Sequence, residues 1–146
     1  MRLKFNKLIF GLSMAIALIL GTTTIYASNA PYYEFSLTKV DCPNLPCNTK
    51  AYSTTKFDVD RRYLTIKGWQ DTGTSTEASV AYQVVVKGWF SDDVKGEKII
   101  QGNYSKKGTW YEEQINVGSK ALEGVHIKVK NLSSTNGVSG AGNAYP

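Results

Sequence analysis

Between Ser79 and Phe90 the chain reads SVAYQVVVKGWF, and its residues separate by parity. Val80, Tyr82, Val84, Val86, Gly88 and Phe90 fall on one side of an extended chain. Ser79, Ala81, Gln83, Val85, Lys87 and Trp89 fall on the other. Period two marks a strand with one buried face. Comparable short runs rich in Val, Ile, Thr and aromatics recur, so strands are expected over 32–40, 51–60, 61–70, 78–90, 97–104, 109–117 and 125–132. Only VGSKALEGV, 117–125, has helical character, and Gly118 and Gly124 limit it to one turn. With no helix to cover a sheet, the strands must cover one another. The expected fold is all-β, a single antiparallel β-sandwich, with a small closed β-barrel as the alternative.

The sandwich is expected over 28–132, because the N-terminus reads as an export signal. Arg2, Lys4 and Lys7 precede an apolar run from Leu8 to Leu20, and small residues follow around Ala27. Cleavage after Ala27 is expected, with Ala30 the alternative, although Pro31 follows it directly. The apolar run is too short for a comfortable membrane span of about 20 residues. Removing 1–27 takes three of the 17 cationic residues and none of the 12 acidic ones, leaving 14 against 12. The apparent basicity therefore belongs mostly to the signal, and no nucleic-acid partner is expected.

An exported chain with two cysteines is expected to pair them. CPNLPC places Cys42 and Cys47 five positions apart in a small disulfide loop stiffened by Pro43 and Pro46. The spacing is too long for a C-x-x-C redox motif. The segment 133–146 is dominated by Gly, Ser and Asn and reads as a flexible tail or an edge strand. Asn103 and Asn131 head glycosylation sequons, which matter only in a glycosylating host.

The tripeptide Lys-Gly-Trp occurs twice, at 67–69 and 87–89, each time after β-branched residues. In the first copy Leu64, Ile66 and Gly68 share one face, while Tyr63, Thr65, Lys67 and Trp69 share the other. Trp110 likewise falls with the more polar set of its strand. Alternation thus turns Trp69, Trp89 and Trp110 outward beside Lys67, Lys87 and Tyr63, and outward aromatics mark a binding surface. A β-bulge at Gly68 or Gly88 would instead return the tryptophans to the core. If 71–77 closes a hairpin, Trp69 lies opposite a residue near Ser79.

Catalytic chemistry is thinly represented. His126 is the only histidine, falls on the polar face of its strand, and leaves no two-histidine metal site. No G-x-S-x-G elbow is present. Asp92-Asp93, Glu112-Glu113 and Asp58-x-Asp60 are the available carboxylate clusters, and neighbouring strand residues point to opposite faces. No enzyme, catalytic residue, metal or cofactor is therefore expected. The expected function is that of a secreted binding protein whose aromatic and basic face takes an extracellular carbohydrate or protein. The alternative is an antibacterial or membrane-active protein acting at a membrane surface. A third reading is an exported hydrolase inhibitor that uses the Cys42–Cys47 loop as its wedge.

Overall fold

A computed structural model of the protein describes residues 30–43 and 46–146. The export signal read at 1–27 lies outside the described residues. Among the described residues nine strands form: β1 (Tyr32–Leu37), β2 (Lys50–Tyr52), β3 (Phe57–Val59), β4 (Tyr63–Asp71), β5 (Ser79–Val86), β6 (Asp93–Gln101), β7 (Tyr111–Asn116), β8 (Leu122–Asn131) and β9 (Val138–Tyr145). One antiparallel sheet has the order β1-β9-β4-β7. The other has the order β2-β8-β5-β6, with β3 also pairing β8. The two sheets pack face to face as a sandwich, and no closed barrel forms. Counting β2 and β3 as one interrupted strand, the order is that of an eight-stranded jelly roll.

Strands β1, β4, β5, β7 and β8 bury the face their alternation assigns to the core. Leu64 and Ile66 of β4, Val80, Tyr82 and Val84 of β5, Ile115 of β7 and Val125, Ile127 and Val129 of β8 are all fully buried. Tyr82 stands at the centre, with ring centroids 5.7 Å from Tyr33, 6.2 Å from Phe35 and 5.4 Å from Tyr111. The Tyr33 and Tyr111 hydroxyls hydrogen-bond each other at 2.8 Å, which satisfies both polar tips inside the core. Gln70 joins the sheets. Its Nε2 donates to the carbonyls of Ile100 (3.1 Å) and Gly102 (2.9 Å), and its Oε1 accepts from the Tyr82 hydroxyl at 2.9 Å. Glu113, an acid in an otherwise apolar series, emerges at the open side and pairs with Lys98 of β6 at 2.8 Å. The nine strands and the core that joins them all lie within 30–146, so this portion carries the complete two-sheet core.

Four expectations are corrected. The segment 133–146 is not a tail; the strand expected as its alternative forms as β9, but inside its sheet, hydrogen-bonded to both β1 and β4 rather than at an edge. Its inward positions include Gly140 and Gly142, which leave space that aromatic rings from β1 occupy. A Cβ at Gly142 would lie 2.8 Å from Tyr33 Cζ, and one at Gly140 would lie 2.9 Å from Phe35 Cε1. The strand expected over 51–60 is interrupted, because residues 53–56 leave the ladder between β2 and β3. The strand expected over 78–90 stops at Val86, so Gly88 and Phe90 do not face the core. Finally, 71–77 closes no hairpin; β4 and β5 belong to different sheets. The Cys42–Cys47 disulfide is present in the β1–β2 connection, with a Cα–Cα distance of 6.0 Å.

Candidate functional site

No bulge interrupts β4. Its register runs unbroken from Tyr63↔Asn116 to Gly68↔Tyr111 on one side and from Thr65↔Tyr145 to Asp71↔Ser139 on the other. Gly68 therefore faces inward, where an added Cβ would lie 2.7 Å from the Tyr111 hydroxyl. Trp69 faces outward, half-buried over the small cross-strand residue Ala141. The glycine of the first Lys-Gly-Trp makes room for a core tyrosine, and the next residue is displayed on the outer face.

Around Trp69 the outer face of β1-β9-β4-β7 has a regular plan. One row across the strands is Ser36–Ser139–Asp71, the next is Glu34–Ala141–Trp69, and the third is Tyr32–Asn143–Lys67–Glu112. The middle strand contributes only short side chains, Ser139, Ala141 and Asn143. Longer side chains rise from β1 on one side and β4 on the other, so β9 is the floor of an open trough. Two depressions lie along it. One of about 560 Å³ lies among Ser36, Trp69, Asp71, Thr72, Asn136 and Ser139. The other, about 430 Å³, lies among Arg61, Thr65, Lys67, Glu112 and Tyr145. From Thr65 to Asp71 the face runs roughly 20 Å, at about 3.3 Å per strand residue.

The walls are held by local bonds. Trp110 precedes β7, and its Nε1 donates to the Lys106 carbonyl at 3.1 Å. The Lys106 ammonium lies 5.8 Å from the Trp69 ring centroid. Lys67 pairs with Glu112 at 3.0 Å. At the far rim, Asp71 Oδ1 accepts from the Gly73 amide at 2.7 Å, where φ is +69°, a conformation suited to glycine. Asn103 braces the same loop: its Oδ1 accepts from the amides of Thr72 and Ala78, both at 3.2 Å. Its Nδ2 donates to the carbonyls of Thr74 (3.2 Å) and Thr76 (3.0 Å). Asn131 is buried, its Nδ2 donating to the carbonyls of Thr38 and Asn136. A glycan on either sequon asparagine would break these bonds.

Of the residues singled out from sequence, Trp69, Trp110, Lys67 and Tyr63 share this face. Tyr63 stands six positions from Trp69, at the other end of β4, with the Arg62 guanidinium 5.5 Å from its ring centroid. Trp89 and Lys87 lie elsewhere, in the β5–β6 connection of the opposite sheet. The two Lys-Gly-Trp copies do not form one surface. Residues not foreseen as part of the trough are Ser36, Asp71, Ser139, Asn143 and Tyr145. Three of these five belong to β9, whose inward glycines conceal its interior position.

A second cluster surrounds Tyr52 on the outer face of β2-β8-β5-β6. The Asp92 carboxylate accepts from the Tyr52 hydroxyl at 2.7 Å and pairs with Lys128 at 2.6 Å, both ionic side chains being largely covered. The Lys87 ammonium lies 4.3 Å from the Tyr52 ring centroid. His126 is half-buried beside Ser53, whose Oγ lies 3.3 Å from Nδ1. That hydroxyl donates to the Thr55 carbonyl at 2.9 Å and accepts from the Ile127 amide at 3.2 Å. Ser53 is thus a structural hydroxyl with its proton committed. The carboxylate pairs diverge in the same way. Asp92 goes to Lys128 and Asp93 to Lys95, while Glu112 goes to Lys67 and Glu113 to Lys98. Asp58 accepts from the Gly124 amide, and Asp60 lies 3.7 Å from Arg61.

This cluster makes stability depend on pH. Burial, then the charge of Lys87, holds His126 below its ordinary value. The unfolded chain therefore takes up a proton as pH falls through about 6.5 while the folded chain resists it, and stability drops. Hydrogen bonds from Lys128 and Tyr52 hold Asp92 below its usual 3.8, so its contribution is present above that value and lost as pH falls through the lower folded one. Urea midpoints measured from pH 8 to pH 3 should fall in two steps, the second absent in Asp92→Asn. A flat profile between pH 7 and 5 would refute the assignment to His126.

The fold and this face together define a two-sheet β-sandwich with an aromatic and polar trough along one outer face. Neither a protein-family model nor a curated protein matches the chain.

Proposed function

We propose that the protein is a secreted, non-enzymatic binding protein whose ligand is a carbohydrate lying along the trough over β9. The observation that carries this reading is the combination at Trp69. An outward indole stands beside a floor of short side chains, and hydrogen-bonding groups line both rims. A pyranose ring has an apolar C–H face that stacks on an indole, while its hydroxyls need donors and acceptors at the edges. Trp69 and Trp110 supply the aromatic surface. Asp71, with one oxygen held by Gly73, has its second oxygen for a sugar hydroxyl; Ser36, Ser139 and Lys67 supply further polar groups. Lys106 moves aside from Trp69 or bonds to the ligand, since its side chain is exposed. Bracing of the rim by Asn103 lowers the ordering cost of binding. The export signal and the disulfide fit a protein that works outside the cell.

Trp69→Ala tests the reading. Because the side chain faces outward, the variant should keep a cooperative unfolding transition, with a loss of about 1 kcal/mol or less from the Ala141 pairing. Binding to oligosaccharides on a glycan array, where the wild type binds, should fall by about tenfold or more. Loss of folding in Trp69→Ala, or unchanged glycan binding, would refute the proposal.

A further inference from the structure

The most exposed large side chains in the described chain do not belong to the trough. Trp89 and Phe90 are 95% and 98% exposed, side by side at the tip of the β5–β6 connection. Two adjacent aromatics with almost no protein contact are costly in water unless something covers them.

The tip is also firmly held. Both ends of the connection return to one residue, Tyr52 of β2: Lys87 lies over its ring at 4.3 Å, and Asp92 takes its hydroxyl at 2.7 Å. Asp92 is further fixed by Lys128 at 2.6 Å. Between these anchors the chain turns sharply. A Cβ at Gly88 would lie 3.2 Å from the Ser91 carbonyl carbon, so the second Lys-Gly-Trp uses its glycine to close a turn. The result is a protruding turn anchored at both ends rather than a cleft.

The surface leading to the tip is net cationic, because its two carboxylates, Asp92 and Asp93, are each paired with a lysine. The outer face that leads to the tip carries Lys128 and Lys130 on β8 and Lys50 on β2. Lys50 and Lys130 stand directly opposite each other in the ladder. Like charges so placed repel, and among the described residues neither has a carboxylate within ion-pair distance. An anionic surface laid against this pair would relieve the repulsion.

We propose that Trp89 and Phe90 form a wedge that inserts into the interface of an anionic lipid membrane, with Lys50, Lys87 and Lys130 drawn to its headgroups. A bilayer surface yields to a protruding pair of rings, and tryptophan favours the headgroup level. A protein partner needs roughly 800 Å² from each side, whereas two aromatic rings offer at most about 500 Å². The wedge is separate from the trough, so the chain can hold a surface through one sheet and a ligand through the other.

The test is co-sedimentation of residues 30–146 with vesicles of phosphatidylcholine alone and of phosphatidylcholine mixed with phosphatidylglycerol. Binding is expected to the mixed vesicles, weakened by added salt. Trp89→Ser with Phe90→Ser should lower it by about a hundredfold, roughly tenfold for each ring. Lys50→Gln and Lys130→Gln should each lower it by about fivefold. Both aromatics lie outside the core, so the double variant should unfold like the wild type, and its glycan binding should be unchanged. Absence of binding to the mixed vesicles, or equal binding by the double variant, would overturn the proposal. So would a lipid-free dimer that the double variant loses, which would assign the wedge to a second copy of the chain.

Discussion

Gly142→Val is expected to abolish the cooperative folded state, or to lower stability by about 3 kcal/mol or more. Gly142 lies on β9 between β1 and β4, directly opposite Gly68, so the β9 backbone is fixed by ladder bonds on both sides. An added Cβ would strike the Lys67 carbonyl and the Tyr33 ring, the latter with Cζ at 2.8 Å. The backbone cannot move without breaking the ladder, and Tyr33 is 1% exposed and bonded to Tyr111. Ser139→Val on the same strand makes the control. Its side chain faces outward, and the change should stay within about 0.5 kcal/mol. Chemical denaturation of the two variants decides the matter; equal stabilities would mean that β9 is not an interior strand.

Gln70→Leu should cost about 3 kcal/mol despite nearly conserving volume. The side chain is fully buried, and three groups depend on it: the Tyr82 hydroxyl and the carbonyls of Ile100 and Gly102. Leucine fills the space but satisfies none of them, and each buried polar group left unpaired costs about 1–3 kcal/mol. Gly102 is already half-exposed and recovers part of its loss through water. Tyr82→Phe in the Gln70→Leu background should recover part of the loss, because it removes one of the three orphaned groups. Additive losses in the double variant would show that the Tyr82–Gln70 bond has no energetic role.

These two sites show where alternation was legible and where it failed. In β4, Leu64 and Ile66 alternate with Lys67 and Trp69, and the inward glycine of the first Lys-Gly-Trp followed from parity alone. In β9, parity holds equally well, but its inward set includes Gly140 and Gly142. Their missing side chains are supplied by Phe35 and Tyr33 from a strand about a hundred positions away. No local pattern records that exchange, so the floor of the trough was hidden with it. Trp89 is exposed for a different reason from the one parity offers. Its strand ends at Val86, and the hairpin tip displays both Trp89 and Phe90, whereas alternation assigned Phe90 to the core. The turn depends on Tyr52, Lys128 and Asp92, contributed by three separate parts of the chain. The jelly-roll order was likewise beyond local reading, since which strands pair depends on crossings between sheets.

The Lys-Gly-Trp repeat therefore marks two unlike devices. At 67–69 glycine admits the Tyr111 hydroxyl beneath a displayed indole. At 87–89 glycine closes a turn that lifts an aromatic pair clear of the protein. A common ligand for both tryptophans is incompatible with their positions on opposite sheets.

The central claim is that the trough over β9 is a carbohydrate site, and the indole N–H resonances of the three tryptophans test it most directly. In an isotope-labelled sample of residues 30–146, a glycan-array ligand should shift the signals of Trp69 and Trp110 and leave Trp89 unmoved. Assignment by Trp69→Phe, Trp89→Phe and Trp110→Phe identifies each signal. Saturable binding that leaves Trp69 and Trp110 unperturbed, or shifts Trp89 alone, would contradict the account.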